Sequence, residues 1–254
     1  MFGTLLEPAA FFADADAQRR AVAALGGPFF ATDAASARDA RAAGLPIGLL
    51  VDAPGGVVTS AVPGLVAAVD PEIVALRIPS FGDGAARAQA LVALAASLAA
   101  LAGRHRMLVA IDAPLPPLSA AAWASLPAES LLIDPIADPD AWRSAATLPG
   151  DRGLLLGLVD GPGGRPAPAR EVLLWGLGYA ASLGGRGRDR VGVVARPARR
   201  GGAPDGGDAA ERLALVGDLV RLSAADAATL RAELDPRATS PVATLGATRR
   251  RVQE

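Results

Sequence analysis

The sequence has no cysteine, no lysine and no asparagine, and only one histidine, His105, among its 254 residues. Without cysteine the chain can form neither a disulfide nor a thiolate centre. Without lysine it has no Schiff-base nucleophile, and a single histidine cannot build a multi-histidine metal site. The side chains left for binding or catalysis are mainly the carboxylates and the guanidinium groups.

The sequence also lacks a charge excess and a clean apolar span. Its formal net charge of −1 does not favour nucleic acid or an anionic membrane as a partner, since both attract a basic surface. The first twenty residues carry acidic side chains and do not resemble a secretory signal. The longest apolar helical stretch, 85–106, is interrupted by Arg87 and Gln89 and predicts no membrane span. We therefore expect a cytoplasmic protein with neither a membrane nor a nucleic-acid partner.

Short apolar runs alternate with alanine-rich helical stretches along the chain. The runs lack polar alternation, as expected for a parallel sheet that is covered on both faces. They predict strands at 2–6, 28–32, 47–51, 73–78, 107–111, 131–133, 154–159 and 191–195. Helices are predicted between them at 14–25, 34–43, 60–69, 83–102, 119–126, 138–147, 167–184 and 208–222.

Eight strand–helix units over residues 1–234 predict a single-domain (β/α)8 barrel of the TIM type. An open doubly wound parallel sheet is the alternative. Residues 235–254 are expected to form a flexible C-terminal tail. Two segments rich in glycine, proline and arginine, 161–170 and 196–207, are interpreted as disordered loops in preference to mobile lids.

Four predicted strands run into an aspartate and then a turn. The aspartates are Asp52 in "GLLVDAPGG", Asp112 in "MLVAIDAPL", Asp134 in "LLIDPIAD" and Asp160 in "GLLLGLVDGPGG". Because the C-terminal ends of barrel strands meet at one mouth, these residues are predicted to surround a cleft together with Arg77 and Arg196. Alternatively, each aspartate only caps the turn after its own strand by accepting backbone N–H bonds.

A ring of carboxylates can bind a divalent cation such as Mg²⁺, bind the amine of a ligand, or hold a general base with a raised pKa. We predict Asp134 and Asp160 as catalytic residues. Ligand-binding roles are assigned to Asp52, Arg77, Asp112 and Arg196. No resident metal site and no cofactor are expected, with Mg²⁺ left open as an additional ion.

Residues 129–180, which contain "LPGDRGLLLGLVDG", resemble the catalytic barrel of cobalamin-independent methionine synthase, within the group that includes uroporphyrinogen decarboxylase. The likeness extends over about 45–222 through "PIGLLVDAPGGVVT", "IVALRIPSF" and "DRVGVVARPARRG". It implies a (β/α)8 barrel and methyl transfer to a thiol that is activated by zinc.

This chain departs from that family at its zinc site. The resemblance implies a histidine, two cysteines and a glutamate as ligands, but here only Asp134 stands at a ligand position, in place of the glutamate. The acidic pair that would hold the homocysteine amine is replaced by Arg77 and Ile78, while Asp134 and Asp160 carry over as acids. Zinc activation of a thiol needs soft ligands, so methionine synthesis of that kind is not expected.

Three hypotheses for function follow. The first is a divergent methionine-synthase-like barrel without zinc that binds a small polar ligand, such as an amino acid or a folate, with or without altered methyltransferase-type chemistry. Its aspartates would hold an amine or cation, and Arg77 or Arg196 a carboxylate or phosphate. The second is an enzyme of another barrel family that uses paired aspartates, with or without Mg²⁺. The third is a non-catalytic scaffold whose exposed helices, 83–102 among them, bind a protein partner or another copy. We favour the first and leave enzyme activity open.

Overall fold

The computed structural model describes residues 1–112, 115–197 and 206–234. Its eight strands are all parallel and follow one another in sequence order around a nearly closed barrel. The strands are β1 (Phe2–Leu5), β2 (Phe29–Ala31), β3 (Ile47–Asp52), β4 (Ile73–Arg77), β5 (His105–Ala110), β6 (Ser130–Ile133), β7 (Gly153–Asp160) and β8 (Val191–Arg196). The (β/α)8 prediction is confirmed. The doubly wound alternative is wrong, because the strand order has no switch point at which it reverses.

The helices lie between the strands, as the alanine-rich stretches predict. They are α1 (Ala15–Leu25), α2 (Ala34–Ala42), α3 (Val62–Val69), α4 (Gly84–Ala99), α5 (Ala120–Ser125), α6 (Ala141–Thr147), α7 (Arg170–Ser182), α8 (Gly206–Ser223) and α9 (Ala227–Glu233). Helix α9 was not predicted. Side-chain caps fix several helix starts: Asp14 accepts from Ala17 N, and Ser119 accepts from Ala122 N. Among the described residues, no helix combines the length and the apolar character needed to cross a membrane.

The strand residues alternate between the barrel interior and the layer of helices. The interior cluster consists of Leu6, Phe30, Leu50, Ala75, Met107, Val109, Ile111, Leu132, Leu155 and Val194. Side chains two residues apart on a strand share a face. For several residues of this cluster, the side chain two positions further along the strand therefore also faces the barrel interior. Those residues are Asp52, Arg77, Asp134 and Arg196, and they form a charged layer above the apolar interior.

At their C-terminal ends, three strands extend one residue further than predicted, and the additional residues there are Asp52, Asp160 and Arg196. Each belongs to the hydrogen-bonded ladder, with Asp52 opposite Arg77 and Asp160 opposite Arg196. A register shift in β7 between Leu156 and Val159 brings Asp160 level with Arg196. The charged groups are therefore fixed by the sheet itself.

The barrel has one seam without a ladder. Strand β1 pairs with β8 and β2 pairs with β3, but the two strands, both within the described ranges, do not pair with each other. The buried Thr4 bridges them, since its hydroxyl donates to the carbonyl oxygen of Pro28 at 2.7 Å.

Segments expected to be flexible differ in outcome. The segment 161–170 has a defined conformation beside Asp160, so the expectation of disorder is wrong there. The predicted tail 235–254 lies outside the described residues, as does most of 196–207.

Candidate functional site

The predicted site residues form two clusters at the mouth, and each cluster is built around an arginine. In the first, Arg77 Nε lies 2.5 Å from Asp52 Oδ1 and 3.9 Å from Asp112 Oδ2. Arg77 Nη1 also pairs with Glu7, which follows β1 and was not predicted. The hydrogen bond that Arg77 donates to Asp52 is the main reason why the pKa of Arg77 is raised above its ordinary value. Three carboxylates around one guanidinium leave this cluster with a formal charge of −2.

The second cluster joins the ends of β6, β7 and β8. Arg196 Nη2 lies 2.5 Å from Asp134 Oδ2 and 2.7 Å from Asp160 Oδ1. All three residues are buried. Asp134 also accepts backbone N–H bonds from Ile136 and Ala137 at 3.1 and 3.0 Å. Asp134 therefore caps its own turn and also pairs with Arg196, while its predicted role in a functional site stays a prediction.

Arg165 completes the second cluster and was missed in the sequence. Its Nε lies 2.9 Å from Asp160 Oδ2, and its Nη2 lies 3.0 Å from Asp134 Oδ2. Its backbone N–H donates to the same Asp160 oxygen at 3.0 Å. The turn that returns Arg165 to Asp160 requires Gly164, where a Cβ would lie 2.4 Å from that of Asp160. The available signal was the arginine placed five residues after the strand-ending aspartate in "DGPGGR".

The ionisation of Asp160 depends on its two neighbouring arginines, Arg165 and Arg196. Burial by itself would raise the pKa of Asp160, but hydrogen bonds from Arg165 and the charge of Arg196 bring it below its ordinary value of 3.8. Asp160 is therefore ionised at neutral pH and is a weak proton acceptor. The expectation of a general base with a raised pKa is wrong for this residue.

A cleft of about 560 Å³ opens beside the second cluster. It is lined by Ile136, Ala137, Asp160, Gly163, Gly164, Arg165 and Arg196. This volume is within the range of about 300–1,000 Å³ that is typical of small-molecule sites. The Arg165 side chain is 40% exposed, whereas that of Arg196 is 1% exposed, so Arg165 is the cation that a ligand in the cleft can reach.

The remaining polar candidates do not add to this site. His105 lies at the opposite end of the barrel, where its Nε2 is 2.8 Å from Ser130 Oγ. In the described part of the chain, no group of three or more histidine, aspartate or glutamate side chains is arranged to hold a metal ion. The carboxylates of the second cluster are instead compensated by guanidinium groups.

Neither the protein-family models nor the curated proteins that were compared with the chain match it. The resemblance to methionine synthase thus stays a prediction, and the site is interpreted from its own geometry.

Proposed function

We propose that the protein binds a small polar ligand with a carboxylate or phosphate group at the mouth of the barrel. The guanidinium of Arg165 contacts the anionic group from within the cleft, and Arg196 lies behind it. The observation that carries the proposal is that a half-exposed arginine lines the cleft while two buried carboxylates orient it.

The orientation of Arg165 favours anion binding. Its Nε and Nη2 groups face Asp160 and Asp134, and within the described residues its Nη1 group donates no hydrogen bond. A guanidinium that is already ordered loses less rotamer entropy when it binds an oxyanion. Arg212 of helix α8 donates to the carbonyl oxygen of Arg165 at 2.8 Å and so helps to hold the segment that carries Arg165 in place.

In this proposal Asp134 and Asp160 act as positioning residues for the two arginines. For Asp160 the lowered pKa makes the carboxylate poorly suited to accept a proton, so this proposal does not use it as a general base. Amino acids and folates carry carboxylates and belong to the ligand class that the cleft would accept. Methyltransferase-type chemistry remains a proposal that the ligand-binding function does not need.

Isothermal titration calorimetry with inorganic phosphate, acetate and glutamate tests the proposal, supported by thermal shift assays. Arg165→Gln removes the charge and is expected to weaken binding at least tenfold, because a hydrogen bond to a charged group contributes about 1.5–3 kcal/mol. The matched control is Arg143→Gln, which removes an exposed arginine paired with Asp140 on helix α6. Equal affinity in wild type and Arg165→Gln, or no binding of any of these anions, would refute the proposal.

A further inference from the structure

The barrel interior is built largely of small residues at the N-terminal ends of the strands. Each of them stands two positions before a member of the interior cluster on its strand and therefore faces the interior as well. They are Gly48, Ser130, Gly153 and Gly192. In a (β/α)8 barrel the interior is normally filled by layers of bulky, branched side chains. At this end of the barrel, four of the eight strands supply no such side chain.

Aromatic rings from neighbouring strands fill part of the space that these small residues leave. A Cβ on Gly48 would lie 2.6 Å from the ring of Phe30, and a Cβ on Gly192 would lie 3.1 Å from the ring of Phe2. These two glycines therefore make room for the two rings. The other two small residues border a space that the rings do not fill.

This space is a cavity of about 360 Å³ at the N-terminal end of the barrel, opposite the cleft that contains Arg165. Its walls are mainly apolar side chains of the barrel interior, namely Phe2, Phe30, Ile73, Met107 and Leu155. The volume is within the range of about 300–1,000 Å³ that is typical of small-molecule sites. An apolar protein cavity of only about 150 Å³ already takes up benzene. The cavity is therefore large enough for a small ligand with an apolar body.

One polar pair stands in the wall of this cavity. Ser130 is 3% exposed, and its Oγ lies 2.8 Å from His105 Nε2. Burial lowers the pKa of His105, so the imidazole is neutral at neutral pH. Among the described residues, His105 is the one hydrogen-bonding partner of Ser130 Oγ. Because a hydroxyl has one proton and two lone pairs, Ser130 can form a further hydrogen bond whichever of the two side chains donates.

The charged groups around the cavity lie at its rim. Glu129 pairs there with Arg106, whose Nε lies 3.1 Å from Glu129 Oε1. Asp151, Asp189 and Arg190 are exposed to solvent. A charged group that entered the cavity would lose its hydration and meet only a neutral polar pair, which is unfavourable. The cavity therefore favours an uncharged ligand.

We infer that this cavity binds an uncharged small molecule with an apolar body and a hydroxyl group, such as a phenol. The apolar body packs against Phe30, Met107 and Leu155, and the hydroxyl forms a hydrogen bond with Ser130 Oγ. This site is separate from the proposed anion site at the mouth, and neither depends on the other.

Isothermal titration calorimetry tests the inference with three probes of similar shape: 4-methylphenol, its apolar analogue p-xylene, and 4-methylbenzoate. We expect 4-methylphenol to bind about fivefold more tightly than p-xylene, because it adds one neutral hydrogen bond. Ser130→Ala should reduce the affinity for 4-methylphenol to that for p-xylene and leave p-xylene unaffected. Ser125→Ala is the matched control, since it removes an exposed serine hydroxyl at the end of helix α5.

Ile73→Trp provides a second variant, because it enlarges a side chain in the cavity wall and should abolish the binding of both 4-methylphenol and p-xylene. Val92→Trp is its control and adds the same indole at an exposed valine on helix α4. Circular dichroism checks that each variant is folded, and the result with Ser130→Ala decides the case if Ile73→Trp is not. The inference is overturned if neither 4-methylphenol nor p-xylene binds, or if Ser130→Ala weakens 4-methylphenol no more than Ser125→Ala does.

Arg165→Gln separates this inference from the proposed function. It should weaken 4-methylbenzoate, which carries a carboxylate for the cleft at the mouth, and leave 4-methylphenol unchanged. If 4-methylphenol is lost in Arg165→Gln, its binding depends on the mouth of the barrel and the inference fails. If the phenol binds as expected but no anion binds, the inference stands and the proposed function fails.

Discussion

Replacing Arg196 by methionine tests how the buried cluster holds the mouth together. The Arg196 side chain is 1% exposed and contacts two buried carboxylates, Asp134 and Asp160. Removing one partner of a buried ion pair costs about 3–5 kcal/mol, because the remaining charge stays desolvated. Arg165 still contacts both aspartates, so we expect the lower end, about 3 kcal/mol. For a chain of this size that corresponds to a fall in Tm of roughly 6–12 °C.

Urea and thermal unfolding monitored by circular dichroism measure this loss. The same substitution combined with Asp134→Asn leaves one carboxylate, Asp160, for the remaining Arg165, and this balance of charge should recover part of the stability. Arg143→Gln serves as the exposed control and should change the free energy of unfolding by less than about 0.5 kcal/mol. The reasoning is refuted if Arg196→Met costs less than about 1 kcal/mol, or if the double variant with Asp134→Asn is no more stable than Arg196→Met.

Three further predictions concern the same structure. The folded-state pKa of Asp160 is below 3.8, so its contribution to stability is complete above about pH 4 and is lost as the pH falls through the folded pKa. Arg165→Gln should therefore weaken the pH dependence of the free energy of unfolding between about pH 2 and 6. An unchanged slope of this free energy against pH contradicts the prediction. The buried Arg186 donates to four backbone carbonyl oxygens, which a lysine cannot reach together. Arg186→Lys should therefore lower the free energy of unfolding, measured in urea, by roughly 2–3 kcal/mol. An unchanged free energy of unfolding argues against the importance of this network. Gly164→Ala should destabilise the protein and weaken anion binding in calorimetry, whereas Gly178→Ala, with nothing within 4 Å in helix α7, should be neutral or stabilising; similar effects of the two would exclude the steric argument.

The barrel could be predicted from the sequence because its strands are apolar runs and its helices are alanine-rich. Even the short runs of β1 and β6 predicted strands that the structure contains. The strand ends were less accurate, since Asp52, Asp160 and Arg196 are polar and mark the end of an apolar pattern. Their place in the ladder depends on partners in neighbouring strands, which the local sequence does not contain.

For the site, the sequence predicted the residue types and the end of the barrel, but not the pairing. The two clusters depend on Glu7 and Arg165, and each residue reaches its partners through a local backbone conformation. Glu7 takes a left-handed conformation with φ of 55°, and Arg165 follows a turn that only glycine fits. The lowered pKa of Asp160 could not be predicted from the sequence, because the residues that supply its counter-charges, Arg165 and Arg196, are brought to it only by the fold.

The unpaired seam between β1 and β2 gives the barrel a preferred line of opening. Other neighbouring strands are joined by several backbone hydrogen bonds, whereas this boundary depends on the hydrogen bond from the Thr4 hydroxyl to Pro28. Pro28 itself has no backbone N–H that could donate across the boundary. Amide protons of these two strands should consequently exchange with solvent sooner than those of β4 to β7. Local opening of the barrel should therefore begin at strand β1, next to the segment that places Glu7 at the mouth.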